Sequence, residues 1–463
     1  MKLLLIFSAF AVIFMASSCK KPLVLSKDNL TFSNDTVIFD TIFTTVGSTT
    51  KRLKLYNNSS LPVLVEDIEL MGGANSPFNL NLDGVSGSKF SAIQMPKNDS
   101  LFMFVEVTLS VNNGTLPMVV EDSIRFRTNG VDQYVSLVVW GQDAYFHVNE
   151  IVSDNEPWQT DKPHVIYGIA AVGFPGIDSN LTLTIPAGAQ IYAHKRSFLY
   201  VYKSTVNING TLGNEVVFLH DRLEAFYDDN PGQWGGIWLQ QANNSTINYA
   251  IIRNAEIGLR ADTTSGNLTL AVKNTFIDNS QFYNLFLNAG PIAQFENTIF
   301  GKAGIISSYL FAGGEAQFKH CNFTNYWLGS RGGPAFAIKN YYVVDDITYV
   351  RPYANTRFDN CVMYGNGANE IVVDTLIESP ALFDVVFRNC VMLREADEIY
   401  EYPNFIDIIW RENPLFKDVS SNDYTFEDGS PLNNAGNNLT GVATDIAGNS
   451  RNMATPDIGA YEN

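Results

Sequence analysis

Apolar and polar residues alternate in short runs over the first part of the chain. Val37–Phe43, Lys51–Tyr56, Val63–Leu70, Leu101–Leu109, Ser123–Arg127 and Tyr134–Trp140 show the period of two of a strand with one buried face. Turn clusters separate them, among them Asn57-Asn58-Ser59-Ser60, Asn112-Asn113-Gly114 and Thr128-Asn129-Gly130. This spacing predicts an antiparallel β-sandwich over residues 23–147. Past Trp158 the runs shorten to Leu181–Ile185 closed by Pro186-Ala187-Gly188, and Val206–Ile208 closed by Asn209-Gly210.

From residue 247 a repeat sets in. Ile247–Ile252, Val272–Ile277, Phe295–Phe300, Phe318–Phe323, Phe358–Met363 and Phe387–Met392 share the order apolar, any, usually Asn, small, any, large apolar. The small residues Ala250, Thr275, Thr298, Cys321, Cys361 and Cys390 are separated by 25, 23, 23, 40 and 29 positions. A self-similar unit of this length predicts a solenoid. Alternation on either side of one Asn fits strand, sharp bend, strand; the Asn tolerates the bend and can bond to its counterpart about 4.8 Å away in the next coil. The 40-residue interval leaves one coil plus an excursion through Tyr326–Pro334 and Asn340–Tyr353.

These coils resemble the right-handed parallel β-helix of pectate-lyase-like proteins, which assigns residues 148–412 to that fold and makes the whole chain all-β. Val46-Gly47-Ser48 leading into Lys51–Asn57, with Pro62 beyond, resembles the immunoglobulin-like modules of bacterial surface proteins and of the ASPM-SPD-2-Hydin group. At the other end, Asn413-Pro414-Leu415-Phe416, Ser430-Pro431-Leu432, Thr444–Asn449, Arg451 and Asp457–Glu462 resemble the C-terminal segment of secreted β-helix proteins of the choice-of-anchor Q type. That resemblance implies that residues 413–463 cap the open end of the β-helix.

The N-terminus reads Met1-Lys2, an apolar stretch from Leu3 to Met15, then Ala16-Ser17-Ser18-Cys19 and Lys20-Lys21. The stretch is shorter than the roughly 20 residues of a membrane-spanning helix. The order is that of a signal peptide. It resembles the lipobox of bacterial lipoproteins, which implies cleavage after residue 18, a lipid on Cys19 and a linker over 19–22. Ala16 stands where a large aliphatic residue is usual, and plain secretion after a cut near Ser18 is the alternative. The resemblance implies an outer-membrane anchor, with Lys20-Lys21 leaving periplasmic and surface display both open.

Composition narrows the partners. With 30 basic against 48 acidic residues the formal charge is −18, which repels nucleic acid and other polyanions. The three further cysteines, Cys321, Cys361 and Cys390, occupy the small position of the repeat rather than a metal-binding spacing. They read as small buried apolar residues, with a Cys361–Cys390 disulfide as the alternative.

Three clusters carry candidate chemistry. Asp221, Arg222, Glu224 and Asp228, with Tyr227 and Trp234, combine carboxylates, a cation and rings within about one coil; they suit acid–base work, Ca²⁺ or a sugar face, or else form a solvated turn. Tyr326, Trp327, Arg331, Tyr341, Tyr342 and Tyr353 suit carbohydrate or protein contact, or else pack the excursion onto the coils. His194-Lys195-Arg196 is a basic turn. The five histidines are scattered, and no Gly-x-Ser-x-Gly, phosphate loop or His-Glu-x-x-His occurs.

The expectation is a membrane-anchored envelope lipoprotein whose β-helix offers a non-catalytic binding surface for glycan or a partner protein, without cofactor. A polysaccharide lyase or glycoside hydrolase, the former with Ca²⁺, is the enzymatic alternative. A structural scaffold of an envelope assembly is the third.

Overall fold

The computed structural model describes residues 24–112, 114, 118–152, 155–263, 266–376, 382–395 and 404–463. The expected signal segment and Cys19 lie outside the described residues. The chain is all-β and divides into two units, Met1–Gln142 and Asp143–Asn463.

The first unit is a β-sandwich. One five-stranded sheet holds Thr31–Phe32, Lys51–Asn57, Asp99–Val107, Phe78–Leu82 and Val85–Gly87; the other holds Thr36–Phe43, Val131–Gln142, Met118–Thr128, Val63–Leu70 and Lys89–Met95. Alternate residues such as Leu53, Leu55, Val63, Val65, Phe126 and Leu137 form the shared core. Pairing is antiparallel except where Val131–Gln142 runs parallel to Thr36–Phe43.

The domain boundary differs from the expected 147/148. Tyr145–Val152 pairs in parallel with His164–Val172, so residues 143–147 belong to the second unit. Their alternation is shared by both kinds of strand and carries no sign of the change. At this end Trp158 stacks over a side-by-side pair of histidines, with ring centroids 4.4 Å from both His147 and His164, which are 5.1 Å from each other. His147 Nε2 lies 2.8 Å from His164 Nδ1, so two of the scattered histidines meet in space.

The second unit is a parallel β-helix. A representative coil contributes Leu270–Lys273, Phe276–Asp278 and Tyr283–Asn288, and the next contributes Ile292–Glu296, Ile299–Phe300 and Ile306–Phe311. Like strands stack in parallel register, Val272 on Phe295, Ile277 on Phe300 and Phe286 on Tyr309. Three faces result.

Between the first and second strand of each coil the repeat's Asn takes the bend. Asn274, Asn297, Asn360 and Asn389 have φ of 48°, 47°, 55° and 47°, a left-handed conformation that Asn tolerates. Asn297 Nδ2 donates to Asn274 Oδ1 at 3.0 Å, and Asn274 Nδ2 to Asn248 Oδ1 at 3.0 Å. Inside, Phe295, Phe318, Phe358 and Phe387 form a column with successive centroids 4.6, 4.7 and 4.3 Å apart. Cys321, Cys361 and Cys390 are free thiols, all buried; burial holds the Cys361 thiol well above its ordinary pKa. Phe318 pairs with Phe358 directly, so the 40-residue interval is one coil plus the hairpin Tyr341–Val344 and Ile347–Val350.

The C-terminal segment runs along the side of the coils rather than serving only their end. Phe426, Leu432 and Ile458 bury against Val362 and Val391, while Tyr424 and Ala460 bury against Ile299. These coil residues point outward from the second face, and the strap satisfies the bend ladder beside them. Arg451 Nη2 donates to Asn297 Oδ1 at 3.0 Å, and Asn437 Nδ2 to Asn389 Oδ1 at 3.0 Å. The physical reason is the apolar outer face of the second strands from Phe276 to Val391, which needs cover.

Candidate functional site

The three faces differ in what they offer to solvent. The first presents polar side chains such as Gln294, Glu296, Gln317 and Lys319 around a hollow of about 310 Å³. Rings beneath it, Phe295 among them, are buried. The second lies under the strap. The third is aromatic, and it is here that the structure assembles a surface.

Its strands are Phe198–Tyr202, Gly236–Gln240, Ile257–Asp262, Tyr283–Asn288, Ile306–Phe311, Phe336–Lys339 and Ile371–Asp374. Alternate residues Leu199, Val201, Ile237, Leu239, Leu259, Leu285 and Leu310 are buried in the core. The intervening positions therefore face outward. Register brings Tyr200, Trp238, Arg260, Phe286 and Tyr309 into one row, and Gln240, Asp262, Asn288, Phe311 and Lys339 into the row beside it.

The first row is a run of planar groups. The Tyr200 and Trp238 centroids are 5.1 Å apart, Arg260 Cζ lies 4.4 Å over the Trp238 ring and 5.8 Å from that of Phe286, and Phe286 stacks on Tyr309 at 5.7 Å. Asp262 ties the two rows together. Its Oδ2 accepts from Trp238 Nε1 at 2.7 Å and Arg260 Nε at 2.8 Å, and its Oδ1 from Asn288 Nδ2 at 3.0 Å. Burial pushes the Tyr309 phenol up to about 12, and those of Tyr200 and Tyr283 upward as well. The phenols are thus neutral hydrogen-bonding groups at physiological pH.

At one edge the face runs into a groove of about 710 Å³, lined by Asn288 and Phe311 on the coil side and Tyr342 and Arg351 on the hairpin side. Tyr342 stacks on Tyr349 at 5.2 Å and lies 6.5 Å from Phe311. Tyr341 donates to Asp374 Oδ1 at 2.9 Å, with Lys339 Nζ 4.0 Å over its ring. Of the residues singled out in the excursion, Tyr341 and Tyr342 join this face.

The others do not. Tyr353 is 2% exposed inside the coils. Tyr326 is half-buried and meets Phe416 of the strap. Arg331 is spent in a two-pronged pair with the fully buried Glu370, while Trp327 lies half-buried beside it, its carbonyl bonded to Asn366.

The acidic turn also separates. Asp221 Oδ2 is 2.7 Å from His194 Nδ1 and accepts from Tyr167 at 3.1 Å, whereas Arg222 turns to Tyr227, stacking 4.5 Å over its ring. Glu224 precedes a short turn of 3₁₀ helix over Ala225–Tyr227, and Asp228 is exposed after it. His194-Lys195-Arg196 is an exposed turn with Arg196 at φ 62°. Trp234 is fully buried, stacked 6.2 Å from Phe218 with Nε1 donating to Arg253 O at 2.8 Å. The ring that reaches the surface is Trp238.

No protein-family model matches the chain, and no curated protein matches it. Among solved structures, a family 123 glycoside hydrolase from Clostridium perfringens, described for glycolipid glycan hydrolysis, is similar at 12% identity. The match covers 24% of this chain and only 25% of that one, with a TM-score of 0.16. The catalytic domain of a GH87 alpha-1,3-glucanase, solved in complex with tetrasaccharides, is similar at 9% identity over 77% of this chain and 86% of that one, with a TM-score of 0.22. At such scores neither likeness carries an argument, and the functional reading rests on the face itself.

Proposed function

We propose that this chain is an envelope lipoprotein, held to the outer membrane by a lipid on Cys19, whose β-helix binds polysaccharide on its third face without cleaving it. The observation that carries the reading is the outward row Tyr200, Trp238, Arg260, Phe286 and Tyr309. From Trp238 to Tyr309, planar groups one coil apart, about 4.8 Å, present apolar platforms flanked by amide and hydroxyl groups, while Tyr200, buried, backs the Trp238 ring. That is the combination a sugar needs, with an apolar ring face and a polar rim.

Hydrolysis by a carboxylate pair does not fit the same face. Asp262 and Asp374 stand in one row four coil steps apart, roughly 19 Å at that spacing. Paired carboxylates in glycoside hydrolysis stand about 5–9.5 Å apart. Of the other candidate cluster, Asp221 and Arg222 turn to separate partners, His194 and Tyr227.

The test is retention of the full-length protein on a polysaccharide panel by affinity electrophoresis. Trp238→Ala is expected to weaken binding by about 2 kcal/mol, roughly thirtyfold, the cost of losing a central ring. Unchanged binding, or release of oligosaccharides during incubation, overturns the reading. Cys19→Ala tests the anchor: it should move the protein from the membrane fraction to the soluble fraction of the envelope.

A further inference from the structure

The charges of the third face decide which polysaccharide it suits, given the reading above that a polysaccharide binds there. Its two outward rows contain two cations and two anions, and each cation is matched. Arg260 Nη2 lies 2.7 Å from Asp262 Oδ2, and Lys339 Nζ lies 2.7 Å from Asp374 Oδ2. The rows therefore sum to zero on a chain whose formal charge is −18.

An anionic polymer needs a cation that is free to meet it, and both cations of these rows are held, while Arg351 at the groove edge donates to the Tyr342 hydroxyl at 3.2 Å. Drawing Arg260 away would strip a carboxylate that is only 6% exposed of its strongest partner, and breaking such a pair is costly. The remaining charge of the chain repels polyanions as well. A cationic polymer fares no better, because Asp262 already accepts from Trp238, Arg260 and Asn288. Ring faces, phenols and the amides of Gln240 and Asn288 remain.

Arg260 also occupies the position where a ring is missing from the row. Its guanidinium is planar, and it spans the space between the Trp238 and Phe286 rings. Trp238, Arg260, Phe286 and Tyr309 thus continue over three coil steps, roughly 14 Å, with no interruption. The run is perpendicular to the strands.

We propose that the third face takes an uncharged polysaccharide whose chain runs along the coil axis, with Arg260 serving as a stacking rung rather than as a receptor for negative charge. This goes beyond polysaccharide binding in naming the polymer's charge, its direction and the part played by one cation.

The experiment compares neutral glucans, mannans and xylans with uronate-containing and sulfated polymers, using the full-length protein. Neutral polymers should be retained. Their affinity should change less than about twofold as salt rises from about 0.01 M to 1 M, over which the Debye length shrinks from about 30 to 3 Å. Arg260→Lys keeps the charge and loses the plane, and should weaken binding about tenfold. Trp238→Phe keeps a ring and should stay within about threefold of the parent.

Selective, salt-sensitive retention of uronate or sulfated polymers would overturn the uncharged ligand while leaving polysaccharide binding intact. Arg260→Lys binding as well as the parent would overturn the stacking rung. Retention of no polymer at all would overturn the polysaccharide reading itself. The salt series uses the unaltered protein, so the ligand class is decided even if a variant fails to fold.

Discussion

The β-helix carries two ladders of planar side chains, one facing in and one facing out. The inward column repeats one residue type, Phe295, Phe318, Phe358 and Phe387, with interplanar angles of 7°, 6° and 14° and every ring at most 2% exposed. The outward row mixes Tyr200, Trp238, Arg260, Phe286 and Tyr309, with Tyr200 meeting Trp238 at 63° and Phe286 meeting Tyr309 at 29°. Both obey the same coil spacing. Close packing holds the inward position to apolar side chains that fit their neighbours, Ile247 and Val272 before the four Phe rings, whereas an outer face has no such demand. The outward row is therefore free to vary, and a ligand is one thing its aromatic content can serve.

That contrast is broken most directly from the inside. Phe358→Ala removes the middle of the inward column and should destabilise the β-helix by about 3–5 kcal/mol, read from urea unfolding of the full-length protein. A loss below about 1 kcal/mol would mean the column is not what holds the coils.

The ring cluster at the N-terminal end of the β-helix sharpens the contrast, because His164 titrates. Burial lowers the His164 pKa to about 4, against about 6.5 in an unfolded chain. Between those values the unfolded state binds more protons, so stability rises with pH there. His164 thus contributes fully above about pH 6.5, and its contribution, on the order of 3 kcal/mol, is lost as pH falls through 4. The urea midpoint should drop across this window, and His164→Phe should flatten the profile. Retention of glycan by the outward row should not follow it down while the protein stays folded, since Tyr309 is neutral throughout.

How much of this was legible in the sequence depends on which strand of the coil is considered. The bend residues Asn274, Asn297, Asn360 and Asn389 announce themselves because the left-handed conformation restricts the choice of side chain. The inward column shows for a related reason: the position must stay apolar, from Ile247 and Val272 to the four Phe rings. The third strand of each coil has no such constraint, so its outward residues vary and form no visible repeat.

A signal was nevertheless available. Ten or eleven positions on from Ala250, Thr275 and Thr298 stand Arg260, Phe286 and Tyr309. Trp234, singled out in the sequence, is buried while Trp238 is the ring that reaches the surface. They are four residues apart and would share a face of a regular strand, yet Gly236 sits between them at φ 116°. A Cβ there would lie 1.7 Å from Ile257 O. The bend at this glycine sends one tryptophan in and the other out. The strap's course along the coils is hidden in the sequence because the residues it covers, Ile299, Val362 and Val391, are dispersed over several coils.

The smallest expected change in stability is the most informative for the comparison. Phe286 sits mid-row, between the Arg260 guanidinium and the Tyr309 ring, and is half-buried. Partial burial of a phenylalanine is worth about 1 kcal/mol, so Phe286→Ala should lower stability by no more than that while weakening polysaccharide binding about tenfold. Phe358→Ala should do the reverse, costing stability and leaving the affinity of the remaining folded protein unchanged. The two substitutions remove the same atoms from the same β-helix, and only the direction they face differs. Should Phe286→Ala destabilise as much as Phe358→Ala, the outward row would be a packing ladder that happens to lie at the surface. Its aromatic content would then need no ligand to explain it.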